Sequence, residues 1–480
     1  MQNTQVSTPE NKELSIWEAL IPVIILVALL AVNNITYEGG MWGQYSNHLI
    51  LLIGAFVAAI VGFFNATTLK IMGKEILENL RSVLIPILIL FLVGALAASW
   101  LISGVIPAMV FYGLQVLKPS IFLPACLIIC VIVSLATGSS WNTAATVGIA
   151  LVGIGIALGL HPGMVVGAIL SGAYFGDKLS PLSDTTNLAP AMAGTTLYTH
   201  IKYMLYTTIP SILVALIVFV ILSFTSKTSG DAEVGEILVQ LEETFVINPW
   251  LFLVPLGVIL MIFLKIKPLY SLSIGVLLGL VFAFIFQPSV LSSLDGGKVV
   301  GAFKAIFLGV EIPTEYENLV KLYQGKGMGG MLWTIYLIIS AMIFGGVMDA
   351  IGALSRITKS MLSLAKSTFG LFASTVISCL GLNAIASDQY LAIVIPGKMY
   401  KDAFRDRDLA PENLSRTLED SGTVTSALVP WNTCGAYHAS VLGVGVAEYF
   451  IYAVFNYVSP FMTLIVAALD IKIRNLAQAK

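Results

Sequence analysis

An all-α, polytopic membrane protein of two related halves is the fold this chain predicts, and three observations predict it. Hydrophobic residues make up 57% of its 480 positions and charged residues only 11%, against roughly a quarter charged in ordinary soluble domains. Apolar runs recur along its length, with room for about ten to twelve helical crossings of ~20 residues each. Polar clusters interrupt that apolar background in both halves, and paired breaks of this kind point to a site near the membrane midplane. The mean hydropathy of +0.91 agrees. A net charge of −2 with 25 basic residues and no basic run excludes a nucleic-acid partner. Phosphate-loop, zinc-protease and serine-elbow signatures do not occur, so no enzyme is expected. Cys126, Cys130, Cys379 and Cys434 lie among apolar or small residues and read as packing groups.

Residues 1–15 are polar and are read as a cytoplasmic tail, followed by a first span at 16–32. Asn33-Asn34 follows that span in place of a small-residue cleavage site, so it is read as uncleaved. Further apolar runs lie at about 48–64, 83–100, 104–117, 121–136, 145–160, 164–175, 208–224, 249–264, 270–287, 331–348, 371–381, 389–396, 424–429 and 439–469. Basic residues in short loops mark the cytoplasmic side. The Lys70, Lys74, Arg81 loop, the turn with Lys265 and Lys267, and the tail 471–480 are therefore placed inside. Residues 226–248, with Asp231, Glu233, Glu236, Glu242 and Glu243, read as an external acidic connector between a first half at 16–225 and a second at 249–470. The long stretch 288–330 is read as a second external loop, and the mixed-charge run from Lys401 to Glu412 as a solvated one.

Gly370 to Gly397 is apolar yet flanked on both sides by basic residues (Arg356, Lys359, Lys366; Lys398, Lys401, Arg405, Arg407). A single crossing cannot begin and end on one side, so this segment predicts a re-entrant hairpin with its tip at Asn383 to Gln389, including Ser387 and Asp388. Irregular backbone at that depth is tolerated only inside protein or beside a wet cavity. In the first half Thr137 to Thr143 would be the corresponding tip. Each hairpin would precede an interrupted helix, at Gly176 to Asn187 and at Gly422 to Thr433. The halves also share a motif: Ser140-Trp141-Asn142-Thr143 is echoed by Pro430-Trp431-Asn432-Thr433. Matching those motifs gives one register; matching element order gives another, in which Asn142 faces Asp388. The sequence leaves both open.

Ser171-Gly-Ala-Tyr-Phe-Gly-Asp-Lys-Leu-Ser-Pro-Leu-Ser-Asp-Thr-Thr-Asn187 carries the chemistry. Ionisable groups at bilayer depth are costly and mark a transport pathway. Pro181 lacks a backbone donor and breaks the helix between Asp177 and Asp184, leaving carbonyl oxygens free. With Ser180, Ser183, Thr185 and Asn187, these groups are oxygen donors suited to a small hard cation, with Asp184 and Asp177 as the proposed Na+ ligands. Removing a carboxylate from water favours its protonated form, whereas a bound cation favours the ionised one. Na+ and H+ would thus compete for one site, with Asp184 the first choice and Asp177 the second. Asp388, Asn142, Thr143, Asn432 and Thr433 would contribute further oxygens, and Ser140, Trp141, Asn383, Ser387, Trp431 and His438 would line the pathway. Lys178 would pair with either aspartate or reach the interface. Glu419 and Asp420 read as a latch to the basic loop or an entry for cations.

These strings, with Gly138 to Thr143, Ser387 to Leu391 and Val429 to Thr433, resemble the NhaC-type sodium/proton antiporters, and the similarity runs from about Leu14 to Leu469. The Asp-Lys-Leu-Ser-Pro-Leu-Ser-Asp string is its most specific part. The resemblance implies a bacterial inner-membrane exchanger built of two inverted repeats, each with a hairpin and an interrupted helix, which commonly dimerises. It implies Na+ and H+ as transported ions, no other cofactor, and lipid as surroundings. Family members also include exchangers of malate against lactate and carriers of amino acids. A carboxylate or amino-acid exchanger coupled to Na+ or H+ is accordingly the second reading, its substrate carboxylate held at helix N-termini beyond Ser139 or Asn383.

Overall fold

Apolar periodicity and helix punctuation together set the architecture. The structure, a computed structural model, describes residues 14–37, 41–226, 231–264, 266–314, 320 and 323–479. Of the tail 1–15, only the last two residues fall within these. Among the described residues nine helices are long and apolar enough to cross a membrane, or up to eleven if each of two bent pairs counts as one span. The described residues also form a two-stranded sheet, Val310–Glu311 with Gln324–Gly325, and a short strand at Met41–Gln44.

The two halves repeat one order of elements. Leu84–Ile102 leads through left-handed Gly104 into the short helix Val105–Val116 and then into Pro119–Thr137. In the second half Leu332–Ala350 leads through left-handed Gly352 into Ala353–Ser363 and then into Thr368–Ile385. Each series turns back at a tip, Gly138-Ser139 or Ala386-Ser387-Asp388, so both expected hairpins are present. The first interrupted helix runs Pro162–Leu179 and Asp184–Ala193. The second runs Pro411–Leu418, a π-turn at Glu419–Thr423, and, after a break, Thr433–Leu442.

Helix caps decide the register that the sequence leaves open. The half-helices beyond the breaks start at N-caps Ser183 and Asn432 and end at left-handed Gly194 and Gly443. The returning hairpin arms start at N-caps Ser139 and Asp388. All three pairs are separated by the same number of residues, so Ser139 corresponds to Asp388 and Ser183 to Asn432. Neither register read from the sequence has this offset. The two Trp-Asn-Thr motifs occupy different places, one just after a hairpin tip and the other just before a half-helix.

Several segments read as loops are helical. Leu69–Ser82, which carries Lys70, Lys74 and Arg81, is one, and the basic flank before the second hairpin contains the helix Ala353–Ser363. The acidic connector contains the helix Asp231–Thr244, which buries Ile237 and Leu241. Stretch 288–330 contains Pro288–Ser293 and Gly297–Leu308 besides the small sheet. The run ending at Glu412 is helical to Arg405, and Glu412 itself is buried and paired with Arg474 at 2.8 Å. In each case charge density signals an interface, and an amphipathic helix satisfies that as well as a loop does.

Small residues bring the first hairpin against the first interrupted helix. A Cβ on Gly172 would lie 2.2 Å from the Leu127 carbonyl oxygen, and one on Gly176 would lie 2.5 Å from the Leu135 nitrogen. Ser134 donates to the Ala173 carbonyl across the same contact at 2.5 Å. Close backbone approach of this kind drives helix association in lipid. Gly172→Ala is expected to cost about 1–3 kcal/mol through overpacking, seen as earlier thermal unfolding in detergent. Gly381→Ala, where a Cβ meets nothing within 4 Å, is expected to unfold with the parent.

Candidate functional site

The breaks explain the local geometry. Beyond Leu179 the chain cannot continue helically through Pro181, and Ser183 restarts it by accepting from the Thr186 N–H at 3.4 Å. Several of the carbonyls exposed there are not free, contrary to expectation. Thr186 Oγ1 donates to the oxygens of Asp177 (3.2 Å) and Lys178 (3.0 Å), and Asn187 Nδ2 donates to those of Pro181 (3.0 Å) and Ser183 (2.7 Å). At the second break Asn383 Nδ2 reaches the Gly422 oxygen at 2.7 Å, Asn456 Nδ2 the Val424 oxygen at 2.7 Å and Tyr449 Oη the Ala427 oxygen at 2.7 Å. Buried carbonyls demand partners, and this chain supplies hydroxyl and amide side chains for them. Any cation here would therefore find fewer free carbonyls than the breaks alone suggest.

The hairpin tips and breaks meet at one cavity of about 830 Å³. Gly138, Ser139, Trp141 and Asn142 line it from the first tip, and Asp388, Gln389 and Tyr390 from the second. Asp177, Ser183, Asp184 and Thr185 come from the first interrupted helix, and Thr433 from the second. The opposite wall is Ser82 to Ile89 and Lys267 to Ser273. Among the described residues, Asp177, Asp184, Asp388 and Lys267, with Tyr270 and Tyr390, are the ionisable groups of this lining.

Asp177 is buried, and its Oδ2 accepts from the Ser140 N–H at 2.9 Å, tying the helix break to the first tip. Asp184 differs from expectation. It is exposed, in the first turn of its half-helix, where the positive end of the helix dipole favours a negative charge. The two acids therefore share a cavity wall but not a degree of burial, and the idea of two buried aspartates is corrected for Asp184. Asp388 caps the second hairpin arm by accepting from the Leu391 N–H at 3.0 Å. Among the described residues no three His, Cys, Asp or Glu side chains are grouped to hold a metal, so any cation here would draw on hydroxyls and water as well.

Several expected pathway residues serve the scaffold instead. Ser140 contributes its N–H, while Thr143 Oγ1 donates to the Ser139 carbonyl at 2.9 Å. Trp431 Nε1 donates to the Ala384 oxygen at 2.7 Å, and Asn432 Nδ2 to the Asn383 oxygen at 3.0 Å, so this motif braces the second tip. Trp141 stacks on Tyr437 with centroids 3.9 Å apart. His438 is corrected: it is buried behind that stack, its Nε2 3.1 Å from Tyr174 Oη, and does not line the cavity. Ser180, Asn187, Asn383 and Ser387 also lie off the lining, and the buried Ser387 hydroxyl has no partner.

Lys178 pairs with neither aspartate nearby. It forms a fully buried ion pair with Asp420, and Ser459 Oγ lies 3.1 Å from both. Thr463 Oγ1 donates to the other Asp420 oxygen. Glu419 accepts from Thr185 Oγ1 at 3.0 Å. Neither acid is an entry or a latch to the basic loop; both face inward across the junction of the two halves. The sequence signal was available in two adjacent acids beside a predicted break, where solvation cannot supply their partners.

A membrane bundle with two hairpins, two interrupted helices and an acid-lined cavity between them is the fold of a secondary transporter, not of an enzyme. Residues 172–471 match the profile of the Na+/H+ antiporter family. The Na(+)/H(+) antiporter NhaC of Alkalihalophilus pseudofirmus is 36% identical over 88% of this chain and 90% of its own length. The Malate-2H(+)/Na(+)-lactate antiporter of Bacillus subtilis is 35% identical over 88% of each chain. The Arginine/ornithine antiporter ArcD of Halobacterium salinarum is 35% identical over 95% of this chain and 92% of its own. The chain belongs to the Na+/H+ antiporter family.

Proposed function

We propose that the protein exchanges Na+ for H+ across the cytoplasmic membrane by alternating access, Asp177 and Asp184 being the carboxylates for which the two ions compete. The observation that carries this reading is the cavity lining, with Asp177, Asp184 and Asp388 against one described lysine, Lys267. An acid removed from water holds a proton until a cation takes its place, so one site serves both ions in turn. The cavity lining includes Ser82 and Lys267, next to the short basic segments read as cytoplasmic. This supports an inward-open conformation. The wall formed by Ser82 to Ile89 and Lys267 to Ser273 would then shift against the tips and half-helices to close it. The resemblance further favours a dimer in the bacterial inner membrane, and the basic loops and tail favour both termini inside.

The lining also ranks the alternatives. Helix N-termini that might hold a carboxylate substrate are already capped. Ser139, Ser183, Asp388 and Asn432 each accept from their own helix, and Asp177 takes the Ser140 N–H. A malate-like anion meets three acids and one lysine, Lys267, which makes it the poorer fit. A cationic amino acid, of the kind named for the Halobacterium relative, fits better and is the second reading. Purified protein in proteoliposomes tests both. A Na+ gradient alone is expected to move protons, with malate and lactate without effect. Proton movement only after arginine or ornithine is added would favour the second reading, and a requirement for malate would contradict an acid-lined substrate site.

A further inference from the structure

Lys178, Arg416, Glu419 and Asp420 lie fully buried where the two interrupted helices meet, each at 0% exposure. Ionised, they sum to zero. Only one of the two pairs they could form is made, Lys178 with Asp420. Arg416 lies 4.7 Å over the Tyr203 ring, yet none of its three guanidinium nitrogens has a hydrogen-bond partner. Glu419 accepts from Thr185 through Oε1, while its Oε2 has no partner. A buried cation and a buried carboxylate with unmet bonding capacity are among the costliest arrangements an interior can hold. These two stand three residues apart, across the join of Pro411–Leu418 with the π-turn Glu419–Thr423. Side chains at that spacing on a helix are neighbours, and π-turns mark places where helices change register.

We infer that Arg416 and Glu419 are positioning residues for the cation site, and that Glu419 has two partners: Thr185 in this conformation and Arg416 in the alternate one. Thr185 follows Asp184 in the first turn of its half-helix. When Glu419 holds Thr185, the wall carrying Asp184 is fixed as seen here. When Glu419 turns to Arg416, that wall is released and the second ion pair forms. The exchange of partners couples a cavity wall in the first half to the π-turn of the second. Its consequence for transport rests on the Na+/H+ reading; the exchange of partners itself does not.

Arg416→Gln, Glu419→Gln and the double variant test this in a Ser273→Cys background. Ser273 lines the cavity and the four native cysteines are buried, so labelling by a membrane-impermeant maleimide reports how often this face is open. Each single change removes the alternate partnership and holds the conformation seen here. Labelling is expected to accelerate severalfold in each, and maximal Na+-driven proton flux to fall about tenfold with the KM for Na+ little changed. The double variant is expected to match the singles, because a pair broken once cannot be broken again. Arg416→Lys, which keeps the charge, is expected to recover most of the flux. Should the glutamine variants not fold, Arg416→Lys and Glu419→Asp carry the labelling comparison, with partial acceleration expected. Parental labelling in the substituted proteins, or a double variant losing flux as the product of the two single losses, would overturn the proposal. If the parent shows no Na+/H+ exchange while labelling follows the expected pattern, the transport reading fails and the exchange of partners stands.

Discussion

Asp177→Asn is expected to abolish Na+-driven proton movement while leaving the fold intact. Asparagine retains an oxygen that can accept from the Ser140 N–H, the 2.9 Å bond joining break to tip, so the tip keeps its anchor. What disappears is the negative charge and the capacity to carry a proton. Losing a unit charge about 4 Å from the cation removes up to about 4 kcal/mol at an effective dielectric of ~20, and a loss of roughly 100-fold in Na+ affinity, about 3 kcal/mol, is expected. The proton branch is lost outright, because an amide does not titrate in this range. Asp184→Asn is expected to do less, about tenfold in apparent Na+ affinity, because water reaches Asp184 and screens its charge. That order reverses the preference drawn from the sequence, where the hydroxyl-rich neighbourhood of Asp184 counted for more than its depth. The measurement is dye-reported pH change in proteoliposomes across a Na+ series, with size-exclusion profiles confirming folding. Near-parental flux in Asp177→Asn would remove this carboxylate from the exchange.

Most of the architecture was legible in the sequence, and the reason is local. Pro181 dictates a break whatever surrounds it, and basic flanks on both sides of an apolar segment demand a chain reversal, here at Ala386 to Asp388. Partnerships between the halves were not legible. Lys178 lies next to Asp177 in the chain, so pairing with a neighbouring aspartate looked natural. A helix nevertheless points successive side chains about 100° apart, and Lys178 faces Asp420 in the other half. The Trp-Asn-Thr echo, one of the two registers the sequence left open, fails for a related reason. Identical triplets suggested identical places, but Trp141 stacks on Tyr437 whereas Trp431 donates to the Ala384 carbonyl. Cap positions, which carry the true register, are ordinary Ser, Asp and Asn residues in sequence and stand out only once the helices are seen. Likewise Asn456 and Tyr449, which satisfy the second break from outside it, belong to no motif.

Removing one member of the Lys178–Asp420 pair is expected to be more damaging than removing both. The two charges are fully buried and share Ser459, with Thr463 donating to Asp420 and the Phe455 ring 5.7 Å from the lysine nitrogen. Lys178→Ala leaves a carboxylate in the interior with hydroxyls as its remaining partners. Asp420→Ala leaves an ammonium with Ser459 and an aromatic face. An uncompensated buried charge of either sign costs about 3–5 kcal/mol, a large share of the stability of any folded chain. Lys178→Met with Asp420→Leu removes both charges and keeps similar volume, and such replacements are often near neutral. Ser459 and Thr463 then lose an acceptor, at about 1 kcal/mol each, so the double variant is expected to unfold somewhat below the parent and well above either single. Thermal unfolding in detergent, read as the fraction remaining monodisperse, gives the comparison. Two single variants as stable as the double would mean that the charges are not coupled. The pair also bears on transport, because it joins one interrupted helix to the other directly behind Asp177. If the double variant folds but its exchange slows, the bridge holds Asp177 in its working position. If exchange is unchanged, Ser140 and the first hairpin tip suffice for that.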